Sequence, residues 1–252
     1  MILEQRESAL FMKVYIPGIK TFIFGRYGSL LIALVLLMLL QMTVNSQLGR
    51  YLLEAMFIFV LVAGLRAIIT QKVLFVIEVL LLLTSLTLNV AGTATGNEVM
   101  YFLGIAGRAI FMIMVALTIL VDLFRGRKVS GDTLAGAVCV YLMIAIIWGY
   151  IFLLIEVMVP GSFSFTQGHA RMHLWLSREF FPFFYFSMVT ITTVGYGDMS
   201  PVLTEAQTLA TFEALIGQVY LTILVARLVG MYLVNQKDDH MNSSEKSESS
   251  DG

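Results

Sequence analysis

Six apolar runs, each long enough to cross a bilayer, leave this chain little choice of fold. A helix needs about 20 apolar residues to span the hydrocarbon core, within a range of roughly 17–25. Runs of that kind cover residues 28–44, 51–70, 73–92, 99–121, 134–159 and 203–234. Backbone N–H and C=O groups in hydrocarbon must pair within their own segment, so these runs are helices. The fifth and last exceed the minimum and are expected to tilt or to project into water. Composition agrees: 58% of the 252 residues are hydrophobic and 13% charged, against about 45–50% and about 25% in soluble domains. The reading is an integral membrane protein without a large water-soluble domain. The first long run begins near residue 28, behind a charged leader, and lacks a small-residue cleavage site, so it reads as a retained helix. The single cysteine, Cys139, lies in an apolar run; it excludes an intrachain disulfide and reads as a small core residue.

The basic residues orient the chain. With both termini in the cytoplasm, the inner segments carry ten Lys and Arg (6, 13, 20, 26, 72, 125, 127, 128, 237 and 246), and the outer segments carry Arg50, Arg171 and Arg178. That bias follows the positive-inside rule. It places the segment between the last two spans on the outer side.

That segment contains Thr192-Thr193-Val194-Gly195-Tyr196-Gly197-Asp198. Gly195 and Gly197 can take positive φ at little steric cost, which lets successive carbonyls turn toward one axis. Thr193 can offer a carbonyl and a hydroxyl, while Val194 and Tyr196 can wedge against surrounding protein. Carbonyl rings of this kind replace the hydration shell of K⁺. The chain here resembles the bacterial-type pore-loop potassium channels. The resemblance rests on this complete seven-residue motif, on the aromatic-rich stretch 184–191 before it and on Met199-Ser200-Pro201 after it. It is close over residues 134–235; the first four spans match by layout only.

The resemblance implies K⁺ coordination by Thr193, Val194, Gly195 and Tyr196, with Gly197 completing the filter and Thr192 and Asp198 supporting it. It implies a pore helix over 180–191, where Pro182 suits the first turn and the C-terminal dipole end favours a cation. Family members often carry two tryptophans where this chain has Tyr185 and Phe186. Tyr185 can still hydrogen-bond Asp198, whereas Phe186 cannot donate to Tyr196, so a filter with one supporting bond fewer is expected. Glu156 matches a position that bonds the loop beside the filter. Gly217, 24 residues after Thr193, matches a hinge glycine of the pore-lining helix; bending and close packing are both open to it. Glu213 and Gln218 are polar groups of that helix at a depth where such groups face protein or water. Arg227 reads as a snorkelling side chain, and an inner gate is placed around 223–231.

The first four helices look like a voltage-sensor-type module without its charges. The fourth span holds Arg108 alone, and one charge crossing 100 mV is worth about 2.3 kcal/mol at most, far from steep voltage gating. Arg66 and Glu78 read as a charge pair between adjacent helices, with Glu54 also in the module. His169 and His173 flank Arg171 in a polar outer turret over 160–179; external pH sensing there is one reading, a solvated loop the other.

The expectation is therefore an all-α membrane protein: six transmembrane helices, a re-entrant pore helix and a selectivity-filter loop. Its parts are a cytoplasmic segment 1–27, a voltage-sensor-like domain 28–121, a cytoplasmic linker 122–133, a pore domain 134–235 and a disordered cytoplasmic tail 236–252. One filter motif per chain implies a homotetramer. The expected function is passive K⁺ conduction across the cell membrane, without enzymatic chemistry, cofactor or nucleic acid, with membrane lipids as surroundings. A channel-derived K⁺ transporter would carry several degenerate loops, a scaffold subunit would need no carbonyl ring, and a non-selective channel has an altered filter. The gating stimulus is not legible.

Overall fold

The computed structural model describes residue 25 and residues 27–40, 72–125, 131–165 and 180–248. Its elements are α1 (Gly28–Leu40), α2 (Lys72–Thr95), α3 (Glu98–Arg125), α4 (Gly131–Met158), β1 (Phe163–Phe165), α5 (Phe180–Ile191), β2 (Met199–Pro201) and α6 (Thr204–Glu248). Among the described residues, four stretches are long and apolar enough to cross a membrane: Val76–Thr95, Glu98–Arg125, Gly131–Met158 and Thr204–Arg227. The predicted span 51–70, with Glu54 and Arg66, lies outside the described residues, as do Arg171, His169 and His173.

α2 and α3 form an antiparallel hairpin. The chain reverses at Gly96, whose φ is 69°. Asn97 then caps α3: its Oδ1 accepts from the N–H groups of Val99 (3.0 Å) and Met100 (3.2 Å), which have no partner inside the helix. Glu98 in the first turn and Arg125 in the last complement the helix dipole. The two helices touch backbone to backbone, since a Cβ at Gly104 would lie 2.6 Å from the Asn89 nitrogen. Small residues permit this approach between membrane helices. Beside it, Arg108 Nη2 donates to Asn89 Oδ1 at 3.4 Å.

Tyr27, at the head of α1, ties three elements together. Its N–H donates to Asp132 at the start of α4 (2.8 Å), and its hydroxyl donates to Asp122 near the end of α3. Its carbonyl accepts from the Cys139 thiol at 3.6 Å. Cys139 is buried and free, in keeping with its reading as a core residue.

α4 packs on α5 through Gly149, where a Cβ would lie 2.9 Å from the Phe184 Cα. Around that contact Phe152, Phe163, Phe183 and Phe186 pack edge to face, with centroids 5.2–5.5 Å apart. This arrangement suits the aromatic quadrupole. It joins α4, β1 and α5 into one apolar block.

The composition predicts a polar turret over 160–179 and a disordered tail from 236; regular structure enters both stretches. Within the turret, β1 pairs antiparallel with β2, Ser164 opposite Ser200. The tail from 236 is helical as far as Glu248. Starting a helix is the costly step, and extending one adds a hydrogen bond per residue. Polar residues beyond Asn235 therefore prolong a helix that already exists.

Candidate functional site

α5 spans Phe180–Ile191, the range predicted for the pore helix, and points its C-terminus at the loop 192–198. The helix end unwinds in steps. Thr192 N–H bonds to Met188 O (3.1 Å) and Thr193 N–H to Thr190 O (3.0 Å). Val194 N–H (3.0 Å) and Gly195 N–H (3.3 Å) then share the carbonyl of Val189. The donors at the base of the loop are thus consumed by α5. Among the described residues, the carbonyls of Thr193, Val194, Gly195 and Tyr196 accept no hydrogen bond. Residues 193–196 thus form a run of carbonyls that accept no bond among the described residues.

The backbone explains how they can act together. Thr193, Gly195 and Gly197 have φ of 61°, 59° and 74°, whereas Val194 and Tyr196 have none in the positive region. In an extended strand successive carbonyls point to opposite sides. Alternation between positive and negative φ turns them toward the same side instead. Gly195 and Gly197 were legible as carriers of positive φ. Thr193 was not: a β-branched residue in that region is an outlier, and such strain concentrates at functional sites. Only its place two residues before Gly195, in an alternating pattern, hints at it.

Tyr185 donates to Asp198 Oδ2 at 2.9 Å, as anticipated, and Asp198 Oδ1 accepts from Met199 N–H at 3.1 Å. Asp198 therefore fastens the end of the loop to α5 and to β2. Glu156, 6% exposed, accepts from Gly161 N–H (2.8 Å) and Phe163 N–H (3.1 Å). Its hold on the loop is indirect: it fixes β1, and β1 pairs with β2, which follows Asp198. Phe186 packs edge to face against Phe152 and Phe163 and acts as packing.

On α6, Gly217 lies against the last residue of α5, and a Cβ there would be 3.2 Å from the Ile191 carbonyl oxygen. Close packing accounts for this glycine. Glu213 is fully buried and hydrogen-bonded to Ser187 of α5. Gln218 is exposed on the opposite side. Arg227 does more than snorkel: its guanidinium sits 4.4 Å from the centroid of Phe124 at the end of α3, a cation–π contact. Ser187, Tyr141 and Tyr220 bond across these helices and were missed in the sequence, since single polar groups in apolar helices carry no signal of their partners. Glu78 is buried, and neither carboxyl oxygen has a hydrogen-bond partner among the described residues.

An acceptor-lined loop, carried by a short helix, thus lies between two membrane-length helices. A family model described as "Ion channel" matches residues 137–234, from α4 through the loop into α6. The match makes the segment from α4 to α6 similar to that family and covers under half of the chain. Comparison with curated proteins and with solved structures gives no match.

Proposed function

We propose that four copies of this chain form a K⁺-selective channel with the loop 192–198 as its filter. The observation that carries the proposal is the loop itself: alternating φ, consumed donors and free carbonyls. Thr193, Val194, Gly195, Tyr196 and Gly197 line the ion path. Thr192, Asp198, Tyr185 and Glu156 hold it in place. K⁺ is the cargo. A K⁺ ion loses its water to the carbonyls, and adjacent sites let ions push one another through.

One chain is incomplete for this task. Val194 and Tyr196 are 51% and 70% exposed, and Phe212, Leu215, Ile216, Val219 and Ile223 of α6 are 42–57% exposed. Non-helical backbone at membrane depth needs enclosing protein, and neighbouring copies supply it around the loop and along α6. Conduction is passive. With Arg108 held by Asn89 as the charge of α3's inner span, steep voltage dependence is not expected.

The test is ion flux from purified protein in liposomes, with K⁺ and then Na⁺ gradients. K⁺ flux without Na⁺ flux, abolished by Gly195→Asp, is the expected result. Equal flux of both ions would remove the selectivity assignment.

A further inference from the structure

Behind the loop, three helices meet along a buried polar seam. α4 presents Ala137, Tyr141 and Ala145 at steps of four; α5 presents Ser187 and Ile191; α6 presents Glu213, Gly217 and Tyr220. Tyr220 OH donates to the Ala137 carbonyl (2.7 Å) and Tyr141 OH to the Ile191 carbonyl (3.1 Å). Ser187 Oγ lies 2.8 Å from the Ala145 carbonyl oxygen and also bonds Glu213 Oε1.

Counting hydrogens makes this last group unusual. Ser187 has one hydroxyl hydrogen, and it faces two acceptors if Glu213 is ionised. A neutral Glu213 resolves the conflict: the carboxyl O–H donates to Ser187 Oγ, and Ser187 donates to Ala145. An ionised Glu213 forces Ser187 to release one neighbour. It also leaves a charge at 0% exposure with Oε2 unpaired, a costly arrangement. Tyr141 of α4 and Tyr220 of α6 are titratable groups of the same seam, each hydroxyl donating to a backbone carbonyl. α5 presents Ser187 to Glu213. On α6 itself, Glu205 lies about two turns outward and Arg227 about four turns inward.

We infer that Glu213 is a positioning residue whose proton locks α6 to α5. Loss of the proton leaves Glu213 a buried charge with Oε2 unpaired, and that cost is relieved when the carboxylate leaves the seam for water and α6 parts from α5. The inference rests on the channel reading and adds proton control to it. Since the locked form is the one that holds the proton, the lock is complete at acid pH and is lost as pH rises.

The experiment compares wild type with Glu213→Gln in liposomes from mildly acidic to alkaline pH. The Gln amide donates to Ser187 as the protonated acid does, and it cannot titrate. Wild-type K⁺ flux should change several-fold across the range, while Glu213→Gln stays at the wild-type acid value throughout. On a Ser187→Ala background, Glu213→Gln should have no further effect. A wild type without pH dependence, or a Glu213→Gln profile that follows the wild type, overturns the inference. Thermal denaturation of the purified protein reads the lock without conduction: the melting temperature should fall with rising pH in wild type more than in Glu213→Gln. Absence of K⁺ flux with that thermal pattern intact would sink the channel and keep the lock. Selective flux with identical pH profiles would do the reverse.

Discussion

Thr193, Gly195 and Gly197 carry the geometry on which the loop depends. Left-handed backbone costs roughly 1–2 kcal/mol per residue with a Cβ. Gly195→Ala should therefore weaken K⁺ flux about tenfold, on the basis that 1.4 kcal/mol is a factor of ten, while leaving the fold intact; K⁺ flux against circular dichroism checks both halves. The Tyr185–Asp198 bond is the fastening nearest the outer end of the loop. A single hydrogen bond contributes about 1 kcal/mol net, so Tyr185→Phe should shorten sustained conduction by a few-fold in planar-bilayer recordings. An unchanged time course would show that Asp198 is held adequately by the Met199 N–H alone. The motif was legible because its seven residues are contiguous and each has a conformational reason to be there. The strain at Thr193 was not, because nothing in a threonine announces a positive φ.

Helices were legible where the apolar run defined them, and their ends were not. The predicted spans 73–92, 99–121 and 134–159 became Lys72–Thr95, Glu98–Arg125 and Gly131–Met158. A hydropathy window stops at the first polar residues, whereas the helix continues until a cap or a turn ends it, as at Gly96 and Asn97. The seam between α4, α5 and α6 was hidden for a different reason. Its bonds join residues 42, 50 and 83 positions apart, and sequence spacing says nothing about such pairs. Gly217 gives a test with opposite signs for its two roles. As a free hinge, Gly217→Ala would stabilise α6 by about 1 kcal/mol from helix propensity. Pressed against Ile191, it should instead destabilise the protein by about 1–3 kcal/mol through overpacking, seen as a lower melting temperature in detergent. Glu156→Leu should destabilise by roughly 1–3 kcal/mol, since it strands the buried N–H of Phe163 and leaves that of the exposed Gly161 to water; the same melting experiment reads it.

At the scale of the molecule, α1 and α3 meet α4 and α6 on one side. Tyr27 binds both Asp122 and Asp132, which flank the linker between α3 and α4, and Arg227 of α6 covers Phe124 two residues beyond Asp122. Movement of α3 is thereby tied to α1 and to the inner end of α6. Layout alone predicted a linker here and no clasp. Tyr27→Phe keeps the N–H bond to Asp132 and removes the hydroxyl bond to Asp122, so it should alter open probability with selectivity unchanged. On the proposed channel reading, neighbouring copies cover the exposed loop and the exposed face of α6. Purified protein should have the mass of four 28.1 kDa chains by native mass spectrometry. The most direct measurement of the central claim is the reversal potential across a planar bilayer with K⁺ on one side and Na⁺ on the other. The account predicts a potential that follows the K⁺ gradient and collapses with Gly195→Asp; a reversal near zero, or one that follows chloride, would contradict it.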